Sequence, residues 1–130
     1  MATVSGNNGE VKIGTSLVAE VKSFDITETD NIIEDTAMGD TAKTFVSGLN
    51  EASGTITCHF DRTDSSGQEA MTVGASVTLN LYPEGDSTGN REISATALIT
   101  SVGVSETVND IVERSFGFTV TGAVTHGTVA

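Results

Sequence analysis

The sequence has one cysteine, one proline and no tryptophan in 130 residues. A single cysteine closes no internal disulfide, which excludes the small secreted domains that are stapled by them. Basic residues are scarce as well: six Lys and Arg stand against 18 Asp and Glu, a formal charge of −12. Sequence-independent nucleic-acid binding works by neutralising phosphates, so this balance excludes it. No apolar run approaches the roughly 18 residues of a membrane-spanning helix. The first eight residues offer neither a basic region nor an apolar stretch, so no signal peptide is expected there. Aromatics make up only 5%, which leaves the core to aliphatic side chains.

What is present favours strands. Thr (20), Val (14), Gly (14) and Ser (13) lead the composition; the first two suit a pleated surface and the last two suit turns. The length fits one domain with one modest core. Segments 9–13 and 17–29 read as strands. In the second, Leu17, Ala19 and Val21 share one parity while Phe24 and Ile26 take the other, so a β-bulge near Lys22 and Ser23 is expected. Ile32 and Ile33 close that region. Segment 54–61 alternates, with Ile56, Cys58 and Phe60 on one side. Segment 75–82 puts Val77, Leu79 and Leu81 inward and Thr78, Asn80 and Tyr82 outward. The run 91–106 changes parity near Ala97 and Leu98, and 111–122 places Val112, Phe116, Phe118 and Val120 on one face. One short α-helix is expected after an N-cap at Ser65 or Ser66, ended by Gly74, with Ala70, Met71 and Val73 sealing an opening of the core. The termini, 1–8 and 123–130, read as flexible. The fold class is therefore all-β: an antiparallel sandwich or barrel of about seven or eight strands, one short flanking helix and a long extended loop.

Catalytic chemistry finds no footing. The serine within Gly85, Asp86, Ser87, Thr88 and Gly89 lacks a histidine base held by a carboxylate, and the segment reads as a tight turn. His59 sits in a regular strand and His126 in the tail. The run from Asp61 to Gly67 fails the calcium-loop pattern, since Ser66 and Thr72 stand where Gly and Glu are required. The acids Asp25, Glu28, Asp30, Glu34, Asp35 and Asp40 read as a solvated surface. One Cys and two distant His do not make a zinc site. Cys58 reads as a small buried hydrophobe. A sugar cleft lacks its aromatic lining, and no phosphate-cradling loop opens a helix. Neither an enzyme, a metal site nor a cofactor is expected.

One segment, 34–50, stands apart. Small and polar residues dominate it, with Met38, Phe45, Val46 and Leu49 isolated among them and Gly39 and Gly48 marking turns. Ordinary hairpin loops run to about 2–5 residues, so this is either a functional arm or an extended hairpin. Such arms order against partners, and long strands with little helix to cover them leave edges that need protection or use. An assembly subunit fits both features.

At this arm and the strand after it the chain resembles the tail tube proteins of long-tailed bacteriophages. The similar residues are the run from Ile33 to Asp40, then Phe45, Val46, Ser47, Gly48 and Leu49, then Glu51 to Cys58 with its Gly-Thr-Ile-Thr core. The strand before the arm, Val21 to Thr29, the later helix and the strand from Val77 to Tyr82 follow in the same order. The resemblance implies a β-sandwich subunit of a virion, found in the phage tail and assembled in the host cytoplasm. It implies homohexameric rings stacked into a hollow tube, with the long loop reaching the adjacent ring. Asp35, Thr36, Met38, Asp40, Lys43, Phe45, Val46 and Leu49 are then the contact residues between subunits and rings. Met38, Phe45 and Val46 serve as anchors, and Lys43 as a partner for acids. The implied partners are the chain itself, a tail tip or initiator, a terminator, a tape measure or a sheath protein. DNA passes through without being bound, which suits an acidic lining, and no membrane is involved. The alternatives are a tail terminator or capsid decoration subunit, and a carbohydrate-binding or adhesin-like module.

Overall fold

The computed structural model describes residue 7 and residues 9–129, so the N-terminal segment read as flexible lies, apart from Asn7, outside the described residues. Ten strands follow in chain order: β1 (Glu10–Ile13), β2 (Ser16–Leu17), β3 (Val21–Asp30), β4 (Ile33–Glu34), β5 (Phe45–Val46), β6 (Asn50–His59), β7 (Ser76–Tyr82), β8 (Arg91–Ser105), β9 (Glu113–Val120) and β10 (Thr125–Thr128). Eight of them form one antiparallel sheet in the order β2-β1-β7-β8-β9-β6-β3, with β10 beside the start of β8. The remaining two, β4 and β5, pair only with each other.

The sheet closes over its own face. Val11, Leu79 and Leu81 from β1 and β7 share one buried cluster with Ile56, Cys58, Phe116 and Phe118 from β6 and β9. Both halves therefore bury the same side, and the sheet rolls into a sandwich around a core that is aliphatic apart from two phenylalanines. Two bulges make the roll possible by inserting one residue and sharpening the twist. One lies between Val21 and Ser23 on β3, where the parity break places it. The other lies between Ile99 and Ser101 on β8, two residues beyond the expected position.

Several expectations need correction. The short α-helix is a single 3-10 turn over Gln68–Ala70, with Gly67 rather than a serine preceding it and no side-chain cap. A helix this short cannot offset its nucleation cost, and the positive φ of Gly74 ends the segment. Met71 is buried as a seal, but Ala70 and Val73 are exposed. On β7 the alternation fails: Leu79, Asn80, Leu81 and Tyr82 are all buried. The β1–β2 turn covers the second face, where Asn80 Nδ2 donates to the Gly14 carbonyl at 2.9 Å. The tail is not loose throughout 123–130, because β10 pairs Thr125 with Ser94 and Thr128 with Arg91. Strand β8 is 15 residues long and β9 covers only its later part, so the vacant edge takes up the Thr-rich tail.

A polar lock joins the loops at one end of the sandwich. Gln68 is buried, and its Nε2 donates to the carbonyls of Ala19 (2.8 Å) and His59 (2.9 Å) while its Oε1 accepts from the Asp61 N–H (3.0 Å). Asp64 Oδ2 accepts from the N–H groups of Ala19 and Gln68, at 2.8 and 3.0 Å. Gly67 is obligatory beside it, since a Cβ there would lie 2.2 Å from that oxygen. Replacing Gln68 by Ala leaves buried backbone groups without partners. The expected cost is about 2–4 kcal/mol, read from the urea midpoint; an unchanged midpoint would show the lock to be dispensable.

Candidate assembly surfaces

The arm is built as a continuation of the β3–β6 hairpin. That ladder ends with Asp30 opposite Asn50, after which the Asn31 N–H donates to the Leu49 carbonyl at 3.1 Å. The two legs cross closely at Gly48, where a Cβ would lie 2.1 Å from the Asn31 carbonyl oxygen. Only glycine allows that approach. Beyond it, Ile33 pairs with Val46 and Glu34 with Phe45, and the Asp35 N–H donates to the Thr44 carbonyl at 3.0 Å. Thr44 donates its N–H to Thr36 Oγ1 at 3.0 Å and its hydroxyl to the Asp35 carboxylate. At the tip, Asp40 accepts from the Ala37 N–H at 2.7 Å and Gly39 turns the chain with a φ of 96°. Of the two possibilities left by the sequence, the segment is an extended hairpin that projects as an arm.

Its side chains are held out rather than packed. Met38 is fully exposed at 103% and Leu49 nearly so at 85%, and Ile32, Ile33, Phe45 and Val46 are about half exposed. Ile32 and Ile33, which close the preceding strand region in the sequence, belong to this exposed set. Thr36 and Asp35 shape the hairpin internally, Asp40 holds the tip turn, and Lys43 approaches Glu34 at 3.9 Å.

The sequence indicates that edges need cover but not which ones: besides β2, which ends the strand order at the far side, the sheet leaves two edges open around its last four strands. Among the described residues, β3 pairs with no strand on its outer side. On β8, the β7 ladder ends at Leu98, so Thr100 to Ser105 are likewise unpaired on that side. Between these edges lie four strands, β8, β9, β6 and β3, in antiparallel alternation. Their outer face carries Ser101, Gly103, Ser115, Gly117 and Thr119, then Ser53, Thr55 and Thr57, then Asp25, Thr27 and Thr29. Hydroxyls and acids make up almost all of it. Asp25 accepts from the Thr55 hydroxyl at 3.0 Å, and Lys22, at the rim, is held at 2.7 Å by Glu113, whose hydrogen bond raises the lysine pKa.

The end of the sheet opposite the arm gathers the other exposed apolar residues. Phe60, Val104, Val108 and Ile111 lie around the β8–β9 turn and the loop after β6, and Val73, in the loop before β7, stands near Val102 and Arg114. Val104 and Val112 share parity with the core, but the strands run past the sandwich and leave Val104 uncovered. In their midst Arg114 is buried, stacked 4.2 Å from the Phe60 ring centre, with Glu69 at 3.4 Å and its Nε without a hydrogen-bond partner.

The structure brings together no catalytic constellation from the residues weighed for one. His126 Nε2 lies 2.6 Å from Glu28 Oε2, fastening β10 to β3, while His59 Nδ1 is buried and unpaired. Asp61 and Asp64 spend their carboxylates on local N–H and hydroxyl groups. No group of three or more His, Cys, Asp or Glu gathers as a metal site among the described residues. Among the described residues no helix is long and apolar enough to cross a membrane. Burial pushes the Cys58 thiol up to about 11. The native protein is therefore expected to resist a maleimide at pH 8 and to react at once in denaturant, because the thiolate is the reactive form. Rapid labelling of the folded chain would contradict that burial.

No protein-family model matches the sequence, and no curated protein matches it. Solved structures do. The tail of an empty gene transfer agent particle, refined with C6 symmetry, superposes with a TM-score of 0.79 at 14% identity, covering 96% of this chain and 99% of that one. The SPP1 tail tube gives 0.76 at 13% identity over 98% of this chain and 81% of that one. The chain has the tail tube fold. The same fold extends to the sheath–tube complex of an extracellular contractile injection system, PVC, with a TM-score of 0.72 at 12% identity over 98% and 93% of the two chains. Within the tail tube fold, the exposed apolar side chains of the arm and the open edges around the four strands are the parts of this chain left without cover among the described residues.

Proposed function

We propose that this chain is a structural tail tube subunit: copies join edge to edge into six-membered rings, and the rings stack through the arm into a hollow conduit in a virion tail. The observation that carries the proposal is the pair of open edges on a block of four antiparallel strands. In a closed ring, β3 of one copy meets the later half of β8 of the next. Because the block holds an even number of strands, that junction is itself antiparallel, so one continuous barrel closes without an exposed edge. The C6 symmetry of the similar tail supplies the number six. Asp35, Thr36, Met38, Asp40, Lys43, Phe45, Val46 and Leu49 would make the contacts between rings, with Ile32 and Ile33 added to them.

The outer face of the four strands then lines the channel. Serine and threonine hydroxyls with Asp25 and Glu51 offer a passing DNA no cation to neutralise its phosphates, so it is not held. A terminator, an initiator, a tape measure and, in a contractile particle, a sheath would be the other partners. The same fold occurs in the cap that terminates the AFP tube. A repeating subunit differs from a terminator in needing a donor at one end and an acceptor at the other, and this chain has exposed apolar residues at both. Native mass spectrometry of the purified protein is expected to give six times the 13.4 kDa chain mass, or multiples of it; a dimer or trimer as the only assembly would overturn the ring.

A further inference from the structure

Among the described residues the exposed large apolar side chains are not scattered: six lie on the arm, four at the opposite end of the sheet with Val73 close by, and Leu17 and Leu98 elsewhere. Stacking identical rings along the strand direction brings these two ends together, since the arm end of each ring meets the far end of the next. Scattered single apolar residues would need no explanation, but two patches at opposite poles of one sheet do.

We infer that the cleft beside Arg114 is the receptor for the arm of the subunit in the neighbouring ring, with Met38 seated against Val73 and Val102, next to Val104, the β8 partner of Arg114, and an arm carboxylate facing the guanidinium. The inference rests on the tube proposal and names the acceptor that it leaves open. The cleft holds about 220 Å³; Met71, Val73, Val102 and Phe116 make its apolar side, and Gln68, Glu69, Thr72 and Arg114 its polar side. Four of the lining residues are apolar, and its one cation is incompletely satisfied, since Arg114 Nε is buried without a partner and Glu69 sits at 3.4 Å. A buried guanidinium donor left open calls for an acceptor from another chain. The arm tip presents the matching pair: a fully exposed, unbranched methionine flanked by Asp35 and Asp40, and methionine adapts to an irregular slot. In its own subunit Met38 lies beyond the other end of the sheet, so only a second copy can deliver it.

Disulfide trapping in assembled protein tests this. A Met38→Cys, Val104→Cys variant is oxidised after tube formation and run on a non-reducing gel; the native Cys58 is buried and does not interfere. Each subunit then carries one donor and one acceptor, so a ladder of covalent multimers is expected, absent from either single variant. Intact tubes that yield only monomer would overturn the inference and leave the tube proposal standing. Failure of the unmodified protein to form rings or tubes would overturn both. Should the cysteine pair itself block assembly, a Val104→Asp, Val108→Asp variant decides. Six-fold rings that no longer stack, but that pair two by two when mixed with Met38→Asp rings, support the receptor. Tubes of normal length from that variant refute it.

Discussion

Replacing residues 31–49 by a two-residue Asn-Gly turn is expected to leave a folded domain that forms rings and makes no tubes. The β3–β6 ladder ends at Asp30 and Asn50, and Asn-Gly is the turn that closes an antiparallel pair without splaying it. Nothing in the buried cluster comes from the excised segment, and β4 and β5 pair only with each other. The far-ultraviolet circular dichroism signal and the melting temperature should therefore stay near those of the full chain. Tube length should fall from many stacked rings to single rings, because the stacking donor has gone while both lateral edges remain. Loss of the β-type signal would mean that the arm belongs to the core. Tubes of normal length would mean that rings stack by another surface.

The second large effect is on stability. Phe116 is completely buried, with Ile56 opposite it on β6 and Val102 opposite it on β8. It sits where both halves of the rolled sheet meet, flanked by strands on each side, so the space left by Phe116→Ala has little freedom to collapse. The expected cost is about 3–5 kcal/mol, a large share of a total that for such domains is about 5–15 kcal/mol. The urea midpoint should fall with an unchanged slope, since the folded surface is the same. A cost below about 1 kcal/mol would show that the cavity is relieved by the open end near Arg114, and that the core there is looser than its geometry.

Much of this architecture was written in residue parity. The switch from Leu17, Ala19 and Val21 to Phe24 and Ile26 located a bulge that the β3–β6 register contains. The alternation of Ile56 and Cys58, and of Phe116 and Phe118, named the buried face. Parity fails where the cover is tertiary. Asn80 and Tyr82 alternate as outward residues, yet the β1–β2 turn and the loop after β7 bury them. It fails again at Val104, which shares the parity of the core but stands uncovered where β8 and β9 run past the sandwich. The strand β10 was missed because its small, polar residues have no signal of their own; it forms only because β8 outruns β9. The open edges are a property of strand order, and no local pattern of residues contains it. The arm was legible through the opposite signal, a long interval whose few apolar residues follow neither period.

Electron microscopy of the purified protein over a concentration series tests the central claim most directly. Hollow, sixfold tubes of stacked rings are the expected result, with β3 of each subunit hydrogen-bonded to β8 of the next around the lumen. Compact monomers at every concentration, with both edges open to solvent and no growth even on added preformed rings, would contradict it.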